Sequence, residues 1–485
     1  MEKNLISTGQ GNQYMYSDTF GCFLYVPENL KSVMERGGAS MVDTDDYYAC
    51  KLRFLQEHRF FDREKITFQT EYTEELVRKN MACLRQLLIE VTDACNLKCK
   101  YCGYGEFYSN YDQRETCSQT LDNVKILVDY LADLWKSDYN VSHKNTVIIG
   151  FYGGEPLMNM NLIKETIAYV ESLDMAHLKF TYNMTTNGIL LDRYMDFLVE
   201  KNFSILISLD GNEYQSGYRV DKYGNSSFVR VVGNARKLKD TYPDFFDKNV
   251  QFNAVLHDRN SVEECYKSIY GLFGKTPRIS ELNTNGIVTA HKEEFYRMFN
   301  SKSESFKAAV VNKDMKENFL LEDSNSIAYH TMLMNYGGNR YANYLDLFDS
   351  ERVNRYIPTG TCRPFERKLF LTVHGKILPC ERIGQEYVIA WLTDGKLDLD
   401  CDAVAKYYSS MYEKVIKSCS RCHLKRTCGQ CLFLLKEKDG RLICPGIQTD
   451  AKLRKEFSTF LTYAEQNPGD YERLLSSCLL YTSDA

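Results

Sequence analysis

From about residue 85 to residue 287 the chain alternates short apolar runs with amphipathic segments, six times over. The runs cover residues 86–92, 146–152, 178–186, 204–209, 249–256 and 279–286. Their lengths and their β-branched and aromatic content are those of strands. Between the first two, Ile126, Leu127, Tyr130, Leu131 and Leu134 share one stripe, with Ser118 or Thr120 placed to cap the start of a helix. Parallel strands need crossovers of this kind, and the helices then cover the faces of the sheet. The pattern predicts an α/β partial barrel of six units, with any ligand at the strand C-termini.

The first run ends in a loop holding Cys95, Cys99 and Cys102, spaced x3 and x2. Three thiolates are one fewer than a closed zinc site or a fully ligated iron-sulfur cluster takes. A 4Fe-4S cube held at three corners leaves one iron open to an exogenous ligand. The alternatives are a zinc loop completed from elsewhere, or buried thiols without chemistry. The next strand ends carry small or polar residues. Gly153-Gly154-Glu155-Pro156 follows the second, where the glycines allow close backbone approach and the carboxylate suits an ammonium. Thr185-Thr186-Asn187-Gly188 follows the third and Ser208-Leu209-Asp210-Gly211 the fourth; Asn253 lies on the fifth. Arg219, in the loop after the fourth strand, suits a carboxylate clamp. Each tetrapeptide alone is an ordinary turn, but their order at consecutive strand ends describes a site.

The cysteine spacing, with Tyr101 just before the last cysteine, resembles the cluster loop of the radical S-adenosylmethionine (radical SAM) superfamily, whose fold is a six-unit partial barrel. The resemblance implies that Cys95, Cys99 and Cys102 hold a 4Fe-4S cluster whose open iron chelates S-adenosylmethionine. In that superfamily the cluster's electron splits the cofactor, and the resulting 5′-deoxyadenosyl radical abstracts hydrogen. By the same resemblance Gly153, Gly154 and Glu155 hold the cofactor's amino group. Tyr101, Thr186, Asn187, Ser208, Asp210, Arg219 and Asn253 complete the implied cofactor site.

A second cysteine-rich region begins at Cys362, with twelve residues between it and Gly375 and four between Gly375 and Cys380. Residues 369–373 and 376–378 predict a hairpin about His374-Gly375. Cys419, Cys422, Cys428 and Cys431 follow, spaced x2, x5 and x2, and then Cys444. Pairs spaced this way often hold structural zinc. The pattern also resembles the seven-cysteine SPASM extension of radical SAM enzymes, departing from it where Cys428-Gly429-Gln430-Cys431 has two intervening residues instead of three. The implied wiring gives Cys362, Cys380 and Cys431 to one auxiliary 4Fe-4S cluster and Cys419, Cys422, Cys428 and Cys444 to another. The first set lacks a fourth ligand, so either Cys401 closes it or it stays open to a substrate thiolate. Auxiliary clusters suit a net oxidation, because iron-sulfur potentials can be tuned to accept an electron.

Residues 1–83 have their own texture: a strand-like aromatic stretch at 14–26, a helical pattern at 45–61 and a short strand at 65–70. Together they form a winged-helix-like unit, which resembles the peptide-recognition domain of peptide-modifying enzymes; a packing extension at the barrel bottom is the alternative. The expected organisation is then a radical SAM core at 84–290, a helical bridge at 291–355 with a turn at 337–340, a SPASM domain at 356–450, and a C-terminal helix within 451–485 carrying Leu453, Phe457, Phe460, Leu461 and Tyr463. Residues 478–485 resemble a translated sequencing-adapter remnant, so the C-terminus is expected to be non-native.

Seventeen cysteines without a secretion signal or a long apolar run indicate a reducing, cytoplasmic setting. Cys22, Cys50, Cys83, Cys117 and Cys265 fall singly and are expected to be buried thiols. A net charge of -5 favours neither nucleic acid nor membrane as partner. The expectation is a radical SAM/SPASM oxidoreductase that matures a ribosomally synthesised precursor peptide by oxidative crosslinking, carbon-carbon or thioether, with a flavodoxin- or ferredoxin-type electron donor. The alternatives are a formylglycine-forming enzyme of the anaerobic sulfatase-maturase type, and a non-catalytic, cluster-bearing peptide-binding partner.

Overall fold

The computed structural model describes residues 5–36, 46–62, 67–142, 146–175, 177–309, 329, 332–333, 355–356, 358, 364–424, 428 and 430–472. Cys362, the turn at 337–340 and the suspected adapter tail lie outside them. The chain divides into two compact units, one of residues 71–318 and 362–409 and one of residues 1–70, 319–361 and 410–485.

The larger unit is built on the six expected strands, β1 (Gln86–Thr92), β2 (Thr146–Gly153), β3 (Lys179–Thr186), β4 (Ser204–Ser208), β5 (Val250–Val255) and β6 (Arg278–Ser280). They pair in parallel, each with the next. The crossovers are α1 (Leu121–Lys136), α2 (Met160–Ser172), α3 (Leu191–Glu200), α4 (Phe228–Thr241) and α5 (Val262–Phe273), with a short helix, Pro243–Asn249, before β5. Thr120 caps α1 by accepting from the Asn123 amide at 3.3 Å, and Ser261 caps α5 in the same way. β1 is buried along six of its seven residues, as a strand covered on both faces must be.

Local pattern does not reveal the rest of this sheet. The hairpin expected about Gly375 forms as β7 (Lys368–Leu371) and β8 (Lys376–Leu378). β7 also lies parallel to β1, from Lys368 opposite Gln86 to Leu371 opposite Ile89. β9 (Ala390–Thr393) and β10 (Lys396–Asp398) continue antiparallel, giving ten strands in the order β6-β5-β4-β3-β2-β1-β7-β8-β9-β10.

In the smaller unit a three-stranded antiparallel sheet (Ile6–Ser7, Gln13–Ser17, Cys22–Tyr25) packs with two helices, Glu28–Glu35 and Tyr47–Glu57, around Met15, Leu30, Met34 and Leu52. The first of these helices is absent from the sequence reading. The C-terminal helix Asp450–Gln466 buries the expected Leu453, Phe457, Phe460 and Leu461. Its Phe457 ring meets those of Tyr16 and Phe23, and its Glu465 accepts from the Tyr14 hydroxyl at 2.9 Å.

Candidate active site at the strand C-termini

The loop after β1 is held by backbone bonds: Lys98 N to Val220 O at 2.6 Å and Lys100 N to Tyr218 O at 3.1 Å. The stretch after β2 lies directly on it, with Gly154 N on Thr92 O and Glu155 N on Ala94 O, both at 2.9 Å. A Cβ at Gly153, where φ is +135°, would stand 2.0 Å from Thr92 O, and one at Gly154 2.1 Å from Ala94 O. The glycines are therefore required for one loop to lie on another. Gly154→Ala is expected to destabilise the protein by about 1–3 kcal/mol and to lower the iron retained after anaerobic reconstitution, read by urea unfolding and iron assay.

Cys95, Cys99 and Cys102 line one cavity of about 200 Å³, and among the described residues no fourth cysteine and no histidine lines it. Burial pushes the Cys99 thiol up to about 12, with Arg219 opposing and the neighbouring thiols adding to the rise. Burial likewise raises Cys95. Three half-buried thiols converging on one cavity fit a site completed by a cationic metal centre, since such a centre would bind them as thiolates. Arg114 Nη2 donates to Cys102 Sγ at 3.1 Å.

The wall opposite comes from β2, β3 and β4. Glu155 is buried and accepts three bonds: from Thr186 Oγ1 at 2.7 Å, Asn187 N at 2.7 Å and Leu157 N at 3.1 Å. Burial raises its carboxyl to about 7 against those bonds, and one acceptor direction remains. Asn187 Nδ2 donates to Asn96 Oδ1 at 2.7 Å and reaches Cys95 Sγ at 3.7 Å, tying β3 to the cysteine loop. Ser208 also lines the cavity.

Below this wall Asp210 and Arg219 form a buried two-point pair, Nε to Oδ2 at 2.9 Å and Nη2 to Oδ1 at 3.0 Å. The Tyr101 hydroxyl donates to the same carboxylate, as does Val255 N at 3.0 Å. Burial alone would raise the Asp210 carboxyl; the Arg219 charge and His257 more than offset it and hold it at about 2. Arg219 and Tyr101 reach the cavity, but the Arg219 fork is already occupied by Asp210. Asn253 lies opposite Ser208 in the β4–β5 register, accepts from Ser280 Oγ at 2.8 Å and does not line the cavity.

The family model of the Radical SAM superfamily matches residues 89–268, a span that begins in β1 and holds the cysteine loop and the ends of β2 to β5. The chain carries a radical SAM domain. Such a domain works with a 4Fe-4S cluster and S-adenosylmethionine. The chain is 25% identical over 371 residues to the radical SAM cyclopropyl synthase TigE of Paramaledivibacter caminithermalis, covering 74% of this chain and 70% of that protein. It is 27% identical over 198 residues to the cysteine-type anaerobic sulfatase-maturating enzyme of Clostridium novyi, covering 40% of this chain and 49% of that protein. The solved structure of native anSMEcpe with bound AdoMet and Kp18Cys peptide shares the fold, with TM-score 0.50 and 18% identity over 81% of this chain and 98% of that one.

Around the radical SAM domain the structure adds residues that the sequence reading missed. Arg114 stands in a polar run and gives no signal of its own. Glu90 does: a carboxylate inside the apolar β1, it is buried and accepts from the Tyr104 hydroxyl at 2.7 Å and Val373 N at 3.0 Å. Glu381 lines the same cavity and pairs with Lys368 at 2.7 Å.

In the smaller unit Cys419, Cys422, Cys428 and Cys444 line a single cavity of about 110 Å³ with Phe68, Leu424 and Ile447. Among the described residues no three of these sulfurs lie within 4.8 Å of one another. A single tetrahedral zinc with Zn-S near 2.3 Å would hold its four sulfurs about 3.8 Å apart. Cys431 opens the turn Leu432–Leu434 and does not line this cavity. Cys380 donates to Glu381 Oε2 at 3.4 Å. Cys401 is buried beside the Tyr130 hydroxyl, 3.8 Å away. Of the five single cysteines only Cys265 is buried; Cys83 and Cys117 are half-buried, and Cys22 and Cys50 are exposed, against the expectation of buried thiols. Among the described residues no helix is long and apolar enough to cross a membrane.

Proposed function

We propose that the chain is a peptide maturase in which Cys95, Cys99 and Cys102 hold the reducible cluster and the substrate loses two hydrogens to form a new bond, carbon-carbon or thioether. The observation that carries this reading is a three-thiol cavity at the strand C-termini, lined by no fourth cysteine and no histidine among the described residues, and a larger cavity beside it. The larger one, about 590 Å³, shares Gly103, Tyr104, Tyr111 and Arg114 with the first, and adds Tyr108. It gives a peptide side chain room to approach from an aromatic wall. The cluster with its cofactor supplies hydrogen-atom abstraction, and a second cluster in the four-thiol cavity an electron acceptor. The protein's own part is positional. The Gly153–Glu155 backbone fixes the cysteine loop, Glu155 keeps one acceptor direction for an ammonium, and Arg114 places positive charge against the thiolates.

A cyclopropyl synthase closes a ring through a carbon-carbon bond, and the match to TigE covers 74% of this chain. That favours bond formation over the aldehyde product of a sulfatase maturase. The test is anaerobic incubation with a candidate precursor peptide, S-adenosylmethionine and a flavodoxin- or ferredoxin-type reductant. Expected are 5′-deoxyadenosine and a peptide lighter by two hydrogens that does not react with an aldehyde probe. Aldehyde reactivity would favour the sulfatase-maturase reading, and no 5′-deoxyadenosine the non-catalytic one.

A further inference from the structure

Asp93, Cys117 and His374 come from three separate segments. Asp93 leaves β1 two residues before Cys95, Cys117 precedes the residue that bridges to Thr92, and His374 sits in the turn between β7 and β8. One carboxylate oxygen, the Cys117 sulfur and one ring nitrogen of His374 all lie within 4.8 Å of one another.

Asp93 supplies the second observation. Its side chain is 2% exposed, and one oxygen accepts from Glu115 N at 2.8 Å. The other, Oδ1, has no hydrogen-bond partner among the described residues. Leaving a buried carboxylate oxygen unmatched is unfavourable, and such groups are ordinarily paired or bound to a cation. The scaffold around the three groups is fixed: Asp93 N and Thr92 Oγ1 both donate to Cys117 O, at 3.2 and 2.7 Å, and Gln119 Nε2 donates to Thr372 O at 2.7 Å. The geometry is thus held while the ligand atoms remain available.

We propose that Asp93, Cys117 and His374 bind one zinc ion, with water in the fourth position. The donor set of one sulfur, one nitrogen and one oxygen selects a borderline ion; calcium and magnesium take oxygen alone. Tetrahedral zinc holds such donors about 3.3–3.6 Å apart. Because the three atoms already lie within 4.8 Å of one another, closing onto the ion requires at most about 1.5 Å of movement, within reach of a side-chain rotation of His374 on its hairpin turn. The ion ties the exit of β1 to β7 and β8 immediately before the cysteine loop. The site is distinct from both thiol sites and does not depend on the proposed reaction.

The experiment uses the full chain, reconstituted anaerobically with iron and sulfide, exposed to zinc and desalted. Zinc and iron are then counted, and the zinc K-edge is recorded. Expected is about one zinc per chain with one sulfur near 2.3 Å and nitrogen or oxygen near 2.0–2.1 Å. Cys117→Ala and His374→Ala should each lose that zinc while keeping the iron. Zinc equal in the parent and both variants, an edge fitted by four sulfurs, or no retained zinc would each overturn the proposal. The edge measurement needs only the parent protein, so a variant that fails to fold does not shield the idea.

Discussion

Replacing Cys95, Cys99 and Cys102 together with alanine will leave a protein that makes no 5′-deoxyadenosine and binds about four fewer irons per chain after anaerobic reconstitution. The three thiols line one cavity, and no other cysteine or histidine among the described residues is there to substitute. If the remaining cysteines hold two further clusters, iron falls from about twelve to about eight per chain. The difference is the readout, and zinc counted in the same sample separates iron lost from zinc gained. Unchanged iron in the triple variant would remove this cavity from cluster binding.

Arg219→Leu will destabilise the protein by about 3–5 kcal/mol, because it leaves the buried Asp210 carboxylate without its cation. The pair is nearly solvent-free, with side-chain exposure of 8% for Arg219 and 0% for Asp210. Replacing both residues by leucine should cost less than Arg219→Leu alone, since no buried charge is then orphaned. The pH response is also fixed in sign. In the parent, Asp210 titrates at about 2, below its ordinary 3.8. Its contribution, about 2 kcal/mol, is present above pH 4 and lost as pH falls towards 2. Without Arg219 the largest opposing charge is lost and burial is met only by His257 and the remaining hydrogen bonds, so the carboxyl rises from its depressed position. The variant then loses less stability than the parent as pH falls. Urea unfolding between pH 3 and 7 follows both effects. A variant within about 1 kcal/mol of the parent, but with weakened S-adenosylmethionine binding, would make Arg219 a cofactor clamp, not a structural partner.

The two roles of Arg219 show where sequence reading stops. An arginine nine residues after an aspartate in a loop suits a cofactor carboxylate and suits its neighbour equally well; the fold makes it the neighbour's partner. Gly153 and Gly154 were legible as sites of close approach, but not the approaching group, which is the backbone at Thr92 and Ala94. The six parallel strands were legible because each apolar run carries its own signal. The last is cut to Arg278–Ser280; of the residues that follow, Glu281, Asn283, Thr284 and Asn285 are polar, and Leu282 packs with Phe107 and Phe295. The register of β7 on β1 was not legible, because the residues that meet are almost 300 positions apart. The same holds for the N-terminal strands against Phe457 and for Asp93 with Cys117 and His374. Cys117 looked like an ordinary buried thiol, and only assembly of the sheet brings a histidine turn beside it.

The placement of β7 also decides whether the six parallel strands can close. β1 is hydrogen-bonded to β2 along one edge and to β7 along the other, so no edge is left for β6 to join. The six parallel strands therefore cannot close on one another through a β6–β1 pairing unless one of those ladders breaks. The break between β6 and β1 is thus a matter of connectivity, not of thermal breathing.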